Sequence, residues 1–273
     1  MMGLISGIKR MEIHDGDGLR STVFFKGCPL KCVWCHNPES ISFEKQTAFF
    51  KDNCIGCRIC NNEHNELTAA KCPSEALVVY GTEYQPEELV KELLKDEQFF
   101  KNGHGGVTLS GGECLAQGDF AVEVAKLLFQ KGISVYIDTC GFVKKETIQK
   151  IIPYVDKFLY DIKAIDEDVH IKCTGHSNGI IIENIEYINT RDIPVEIRIP
   201  YVPGYNDGQL EKIGAFLSKF KCVTAVKILP YHNYAASRYL ALGMENTLPD
   251  MIPSEEELNI AKEKIRSFGF ICI

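Results

Sequence analysis

Along the chain, short runs of β-branched and aromatic residues alternate with stretches whose apolar positions recur every three to four residues. The runs "STVFF" (21–25), "GVTLS" (106–110), "ISVYID" (133–138), "KFLYDI" (157–162), "VEIRI" (195–199) and "TAVKIL" (224–229) read as strands. The stretches 86–100, 119–131, 144–152, 178–190, 207–220 and 254–268 carry helical periodicity, the first with Pro86 in its opening turn, where a missing N–H is harmless. Six strand-then-helix units imply a parallel sheet covered by helices. Eight units would close a barrel. Six predict an α/β fold in the form of an open, partial (β/α)6 barrel, with a flat doubly wound sheet as its structural rival.

One stretch breaks the rhythm. Residues 46–82 are polar and cysteine-rich, with "NNEHNE" in their middle. They predict a small insert, so that residues 1–45 and 83–273 form the barrel. The 273 residues are 45% apolar, enough for one sizeable core. A net charge of −7 argues against a broad nucleic-acid-binding surface. No apolar run is long enough to span a membrane, and the first twenty residues lack a signal-peptide pattern. The cytoplasm is therefore expected.

Twelve cysteines change the picture more than charge does. Seven fall into two tight groups: Cys28, Cys32 and Cys35, then Cys54, Cys57 and Cys60 with Cys72. Such spacing favours a metal centre over disulfides. Cys114, Cys140, Cys173, Cys222 and Cys272 are scattered and read as small hydrophobes or bystanders. Cys28-x3-Cys32-x2-Cys35 follows the first strand. A structural zinc site wants a fourth ligand, and adjacent Cys35 and His36 are poorly placed to share one ion. An iron–sulfur cube held by three thiolates leaves one iron open for a ligand.

In parallel α/β folds, functional groups gather at the carboxyl ends of the strands. Here the second strand runs into Gly111, Gly112 and Glu113, the third into Asp138 and Thr139, and the fourth into Asp161 and Lys163. The fifth carries Arg198, and the sixth leads to His232. Five consecutive strands with polar ends describe a cup facing the cysteine loop.

The three-cysteine spacing, with Trp34 before the last Cys, resembles the radical S-adenosylmethionine (SAM) superfamily. The segments "DGDGLRSTVFFKGCPLKCVWCHNPES" (15–40), "TLSGGE" (108–113), "DTCGF" (138–142), "VPGYND" (202–207) and "LPYHNYAASRY" (229–239) resemble the glycyl-radical-enzyme activating enzymes of the pyruvate formate-lyase activase group. The resemblance implies a [4Fe–4S] cluster on Cys28, Cys32 and Cys35, with SAM chelating the open iron. Reductive cleavage of SAM would then lead to abstraction of a glycine Cα hydrogen from a partner enzyme. Gly111, Gly112 and Glu113 would meet the SAM amino end, although Cys114 stands where the family has Pro. Asp138, Thr139 and Asp161 match positions that hold a monovalent cation against the SAM carboxylate. Lys163 and Arg198 would contact SAM, and His232 its ribose. Asp15 matches a position near the partner's glycine loop.

The insert has ferredoxin-like spacing, but its third gap is eleven residues where a bacterial ferredoxin has three. Many relatives of this group carry eight cysteines there. Cys54, Cys57, Cys60 and Cys72 correspond to the ligands of one cube, so one auxiliary [4Fe–4S] cluster is expected, as an electron relay or a structural element. A four-thiolate zinc site is the other reading. The implied enzyme is an anaerobic oxidoreductase, working as a monomer with a flavodoxin or ferredoxin as reductant. Its rivals are a radical SAM enzyme acting on a small molecule or peptide, an iron–sulfur electron carrier, and a zinc-binding interaction module.

Overall fold

The computed structural model describes residues 1–273. The chain opens with β1 (Gly3–Glu12), antiparallel to β2 (Arg20–Phe25). β3 (Gln46–Phe49) and β4 (Leu77–Tyr80) pair only with each other, and β5 (Thr82–Tyr84) returns to lie antiparallel beside β1. Five more strands follow: β6 (Gly106–Gly111), β7 (Ser134–Thr139), β8 (Lys157–Asp161), β9 (Val195–Tyr201) and β10 (Val223–Pro230). The main sheet has the order β10-β9-β8-β7-β6-β2-β1-β5, and β2 and β6 to β10 are all parallel.

The parallel strands therefore lie in chain order, with no reversal. A doubly wound sheet requires a point where the strand order switches, so that rival is excluded. The two edges, β5 and β10, do not pair, and the barrel is open. The six expected strands lie within a residue or two of their sequence positions. β1 and β5, the antiparallel extension, were not anticipated. β1 begins at Gly3 and is interrupted by Gly7, and its burial alternates rather than running continuously, which weakens its signal.

α1 (Glu66–Ala69) is one short turn in the insert, capped by Asn65. The helix expected over 86–100 is interrupted: α2 (Pro86–Leu93) and α3 (Glu97–Asn102) flank a 3-10 turn. At that turn the Asp96 carboxylate accepts hydrogen bonds from Ser21 Oγ at 2.7 Å and from Arg10, a tertiary demand that periodicity does not reveal. α4 (Gly118–Gln130), α5 (Lys145–Ile151), α6 (Glu167–Thr174), α7 (Gly179–Asn189), α8 (Leu210–Leu217), α9 (Ala236–Ala241) and α10 (Glu255–Arg266) complete the chain. α6 and α9 were also not anticipated.

Side chains alternate across each strand. One face of the sheet, with Val23, Val107, Leu109, Val135, Ile137, Phe158 and Ile197, joins the helices in a single apolar core. The other face presents Thr22, Thr108, Ser110, Tyr136, Asp138, Asp161 and Arg198. A polar inner face is costly unless it is hydrogen-bonded or serves a ligand. The loop between β1 and β2 satisfies part of it: Thr108 Oγ1 donates to the Asp15 carbonyl at 2.7 Å, and Arg198 and Lys227 both donate to the His14 carbonyl at 3.0 Å. That loop bridges the first and last parallel strands and leaves their carboxyl ends free.

Candidate active site

Beyond β2 the chain folds back over the carboxyl ends of the strands and is pinned from several sides. Lys26 is fully buried, and its ammonium donates to the Glu39 carbonyl at 2.6 Å and to Gln46 Oε1 at 3.0 Å. Cys28 N donates to the Ile41 carbonyl (3.0 Å). Lys31 N and Val33 N donate to the carbonyls of Thr174 and Cys173, at the end of α6 (2.9 and 3.0 Å). Tyr239 of α9 donates its hydroxyl to the Cys35 carbonyl at 3.2 Å. Trp34 is buried, edge-on to Tyr205 with centroids 6.2 Å apart. The unanticipated α6 and α9 thus act as buttresses of the three-cysteine loop.

Held this way, Cys28, Cys32 and Cys35 border one cavity of about 220 Å³. Facing them are Gly111 and Gly112 at the end of β6, Asp138 and Thr139 at the end of β7, Asp161 and Lys163 from β8, and Arg198 from β9. Gly112 is required by close packing, since a Cβ there would lie 2.3 Å from the Ser40 carbonyl oxygen and 2.6 Å from that of Gly27.

The charges around this cavity are strongly coupled. Burial pushes Asp138 up to about 7 against the pull of Arg198, whose Nη1 lies 3.6 Å away. Burial pulls Lys163 and Arg198 down, but Asp161 beside the lysine and Asp138 and Asp15 beside the arginine outweigh it and hold both above their usual range. Burial raises the Cys32 thiol strongly and the Cys35 thiol to about 12. Cys28 is held below the usual thiol range, chiefly by the neighbouring Cys140 thiol, against the opposing effect of burial.

Three expected residues lie elsewhere. Glu113 is fully buried and turns away from the cavity: both of its oxygens accept from Thr139 Oγ1 (2.9 and 2.8 Å), Oε2 from Cys140 N (2.8 Å), and Oε1 from Leu115 N (3.0 Å). His232 does not border the cavity. It stacks on His36, centroids 4.0 Å apart, and it is His36 that lines the wall, with Nε2 buried and unpartnered. Asp15 lies deeper, accepting from Thr22 Oγ1 at 2.9 Å and Arg198 Nη1 at 3.3 Å.

Ser110, His36 and Cys140 line the cavity although the sequence reading assigned them no role. Ser110 donates to Asp138 Oδ2 at 2.7 Å. Ser110 and Cys140 lie inside the quoted motifs, "TLSGGE" and "DTCGF", and His36 directly follows Cys35, so position alone could have nominated them.

Cys54, Cys57, Cys60 and Cys72 surround a second, much smaller cleft together with Phe49, Ile59 and Leu77. The loop that carries them has left-handed backbone at Gly56, Arg58, Asn61 and Asn62. In neither place do three or more His, Cys, Asp or Glu side chains converge as the ligands of a single ion do.

The residues at the main cavity fit a [4Fe–4S] group. Three soft donors come from one pinned loop, their burial opposes free thiolates, and the space beside them is lined with groups able to hold an amino acid's polar ends.

The radical SAM superfamily model matches residues 22–217. The chain is 40% identical to the trans-4-hydroxy-L-proline dehydratase activating enzyme of Clostridioides difficile, over 99% of this chain and 98% of that protein. It is 33% identical to the choline trimethylamine-lyase activating enzyme of Oleidesulfovibrio alaskensis, over 98% and 96% of the two chains. A solved domain of pyruvate-formate lyase-activating enzyme from Bacteroides vulgatus superposes with a TM-score of 0.53 at 28% identity, covering 62% of this chain and 98% of that one. SuiB of Streptococcus suis, bound to S-adenosylmethionine, superposes at 0.59 with 14% identity over 90% of this chain and 47% of that one, a likeness of fold alone.

Proposed function

Because this chain belongs to the radical SAM superfamily and, within it, to the activating enzymes of glycyl radical enzymes, we propose how its own residues divide that work. The observation that carries the assignment is the single cavity shared by the three-cysteine loop and the polar ends of four successive strands. Cys28, Cys32 and Cys35 hold the [4Fe–4S] cluster. When bound, that cluster would supply the electron for reductive cleavage of SAM, the chemistry by which a glycine hydrogen of the partner would be removed.

The remaining residues bind and orient. Gly111 and Gly112 admit the SAM amino end close to the backbone. Asp138, Thr139 and Asp161 offer oxygen donors to a monovalent cation beside the SAM carboxylate, with Ser110 orienting Asp138. Lys163 and Arg198 neutralise the carboxylates around them and keep the cup from repelling an anionic ligand. His36, with His232 stacked behind it, forms the wall on the nucleoside side. Asp15, which shares Arg198 with the cup, is assigned to the partner's glycine loop.

The insert, residues 46–82, is assigned one auxiliary [4Fe–4S] cluster on Cys54, Cys57, Cys60 and Cys72. A four-thiolate zinc site is the competing reading, and iron and sulfide analysis of the anaerobic protein separates the two. The alignment with the hydroxyproline dehydratase activating enzyme runs to 297 positions, more than the 273 residues here, so that relative carries residues with no counterpart in this chain. A shortened insert with half the usual cysteines agrees with this. A flavodoxin or ferredoxin is the proposed reductant, the cytoplasm the proposed location, and a monomer the proposed state. A glycyl radical dehydratase acting on a hydroxylated amino acid is the first partner to test. Mixing the reduced, iron-loaded protein with SAM and such a partner should produce the electron paramagnetic resonance doublet of a glycyl radical. The same mixture with Cys32→Ala should show none, and a doublet of full intensity there would refute the cluster assignment.

A further inference from the structure

The segment "LPYHNYAASRY" (229–239) does more than carry His232. Its last two residues, Arg238 and Tyr239, lie on α9 and reach back to the cysteine loop. Arg238 Nη1 donates to Glu39 Oε1 at 2.7 Å, and Nη2 donates to the His36 carbonyl at 2.5 Å. One planar guanidinium thus holds two points of the loop at once, a task that suits its rigid fork. Beyond Glu39 the loop has other anchors. The Ser40 carbonyl accepts from Gly27 N at 2.8 Å, the Ser40 hydroxyl meets that of Ser6 at 2.8 Å, and Lys26 holds the Glu39 carbonyl. His36 has no such redundancy. The bond from Arg238 is the only hydrogen bond its backbone makes, and its ring is stacked between His232 and Tyr231, the latter with centroids 5.6 Å apart. Yet this ring lines the cavity, with Nε2 buried and unpartnered.

From this contact we infer that Arg238 is a positioning residue for SAM: by holding the His36 carbonyl it sets the imidazole that walls the nucleoside side of the cavity. The inference rests on the assignment of His36 to that side. Glu39 keeps the guanidinium in place. The Glu39 side chain is 11% exposed, its Oε2 has no hydrogen-bond partner, and Arg238 is the one cation it pairs with. Removing Arg238 alone therefore has two effects, a freed His36 and a buried carboxylate left without its cation. The two are separable. Neutralising Glu39 as well removes the second effect and leaves the first.

The test compares Arg238→Ala, Glu39→Gln and the double variant with the parent, all iron-loaded. Calorimetry reads the affinity for SAM and for methionine, which presents the amino-acid half without the nucleoside. The thermal midpoint is read beside it. Arg238→Ala should bind SAM about tenfold more weakly, the scale of one hydrogen bond from a charged donor, with methionine affinity unchanged. Glu39→Gln should keep the parent's SAM affinity, since the contact with His36 remains. The double variant should regain most of the thermal midpoint lost in Arg238→Ala and still bind SAM weakly. SAM affinity that recovers along with the midpoint would overturn the inference and leave a structural ion pair. Parental SAM affinity in Arg238→Ala would also overturn it, as would an equal loss for methionine, or loss of iron from both Arg238 variants. Failure of the His36 assignment is distinguishable, because His36→Ala would then bind SAM as the parent does.

Discussion

Asp138 shows how much of the site's behaviour is set by single residues. Its carboxyl is raised by burial to about 7 despite Arg198. A cation and a proton compete for the same oxygens, and the cation needs the ionised form. Any monovalent-cation enhancement of SAM binding should therefore grow as pH rises from about 6 to about 8 and then level off. Calorimetry of SAM binding with and without potassium across that range checks it, and a flat profile would remove Asp138 from the cation site. Gly112 is a steric rather than a chemical requirement. Gly112→Ala would push a methyl group into two backbone carbonyls, with an expected loss of about 2 kcal/mol in unfolding free energy and a lower iron content. A thermal midpoint equal to the parent's would show that the loop yields there.

At the scale of elements, the sequence and the structure agree most where periodicity is long and strong. The six parallel strands and most of their helices were legible because Val, Ile and Leu line one face and polar groups end most of the strands. The cup residues Asp138, Asp161, Lys163 and Arg198 were legible for the same reason: a polar residue at the carboxyl end of a parallel strand has few structural uses. Glu113 and His232 do not line the cavity themselves, since a motif fixes where a residue falls along the chain and not which way its side chain turns. α6 and α9 escaped notice because their surfaces serve the cysteine loop rather than the main core, so neither carries a clean apolar stripe. The insert makes its own prediction. Replacing Cys54 and Cys57 with Ser should remove about four irons per chain and leave SAM affinity unchanged. Loss of SAM binding along with the iron would mean that the insert and the barrel are one cooperative unit.

Taken whole, the molecule is an open sheet with its apolar face turned to the helices and its polar face turned to a ligand. No helix is long and apolar enough to cross a membrane. The strap between β1 and β2 occupies part of the inner face, and the three-cysteine loop stands over the carboxyl ends. Every part of this arrangement converges on one event, the reductive breakage of a sulfonium nucleotide beside three thiolates. The most direct measurement is product analysis of the anaerobic, iron-replete protein after reduction in the presence of SAM alone. Methionine and 5′-deoxyadenosine should form together in equal amounts. Neither product appearing, with iron and sulfide fully loaded, would contradict the assignment of this cavity.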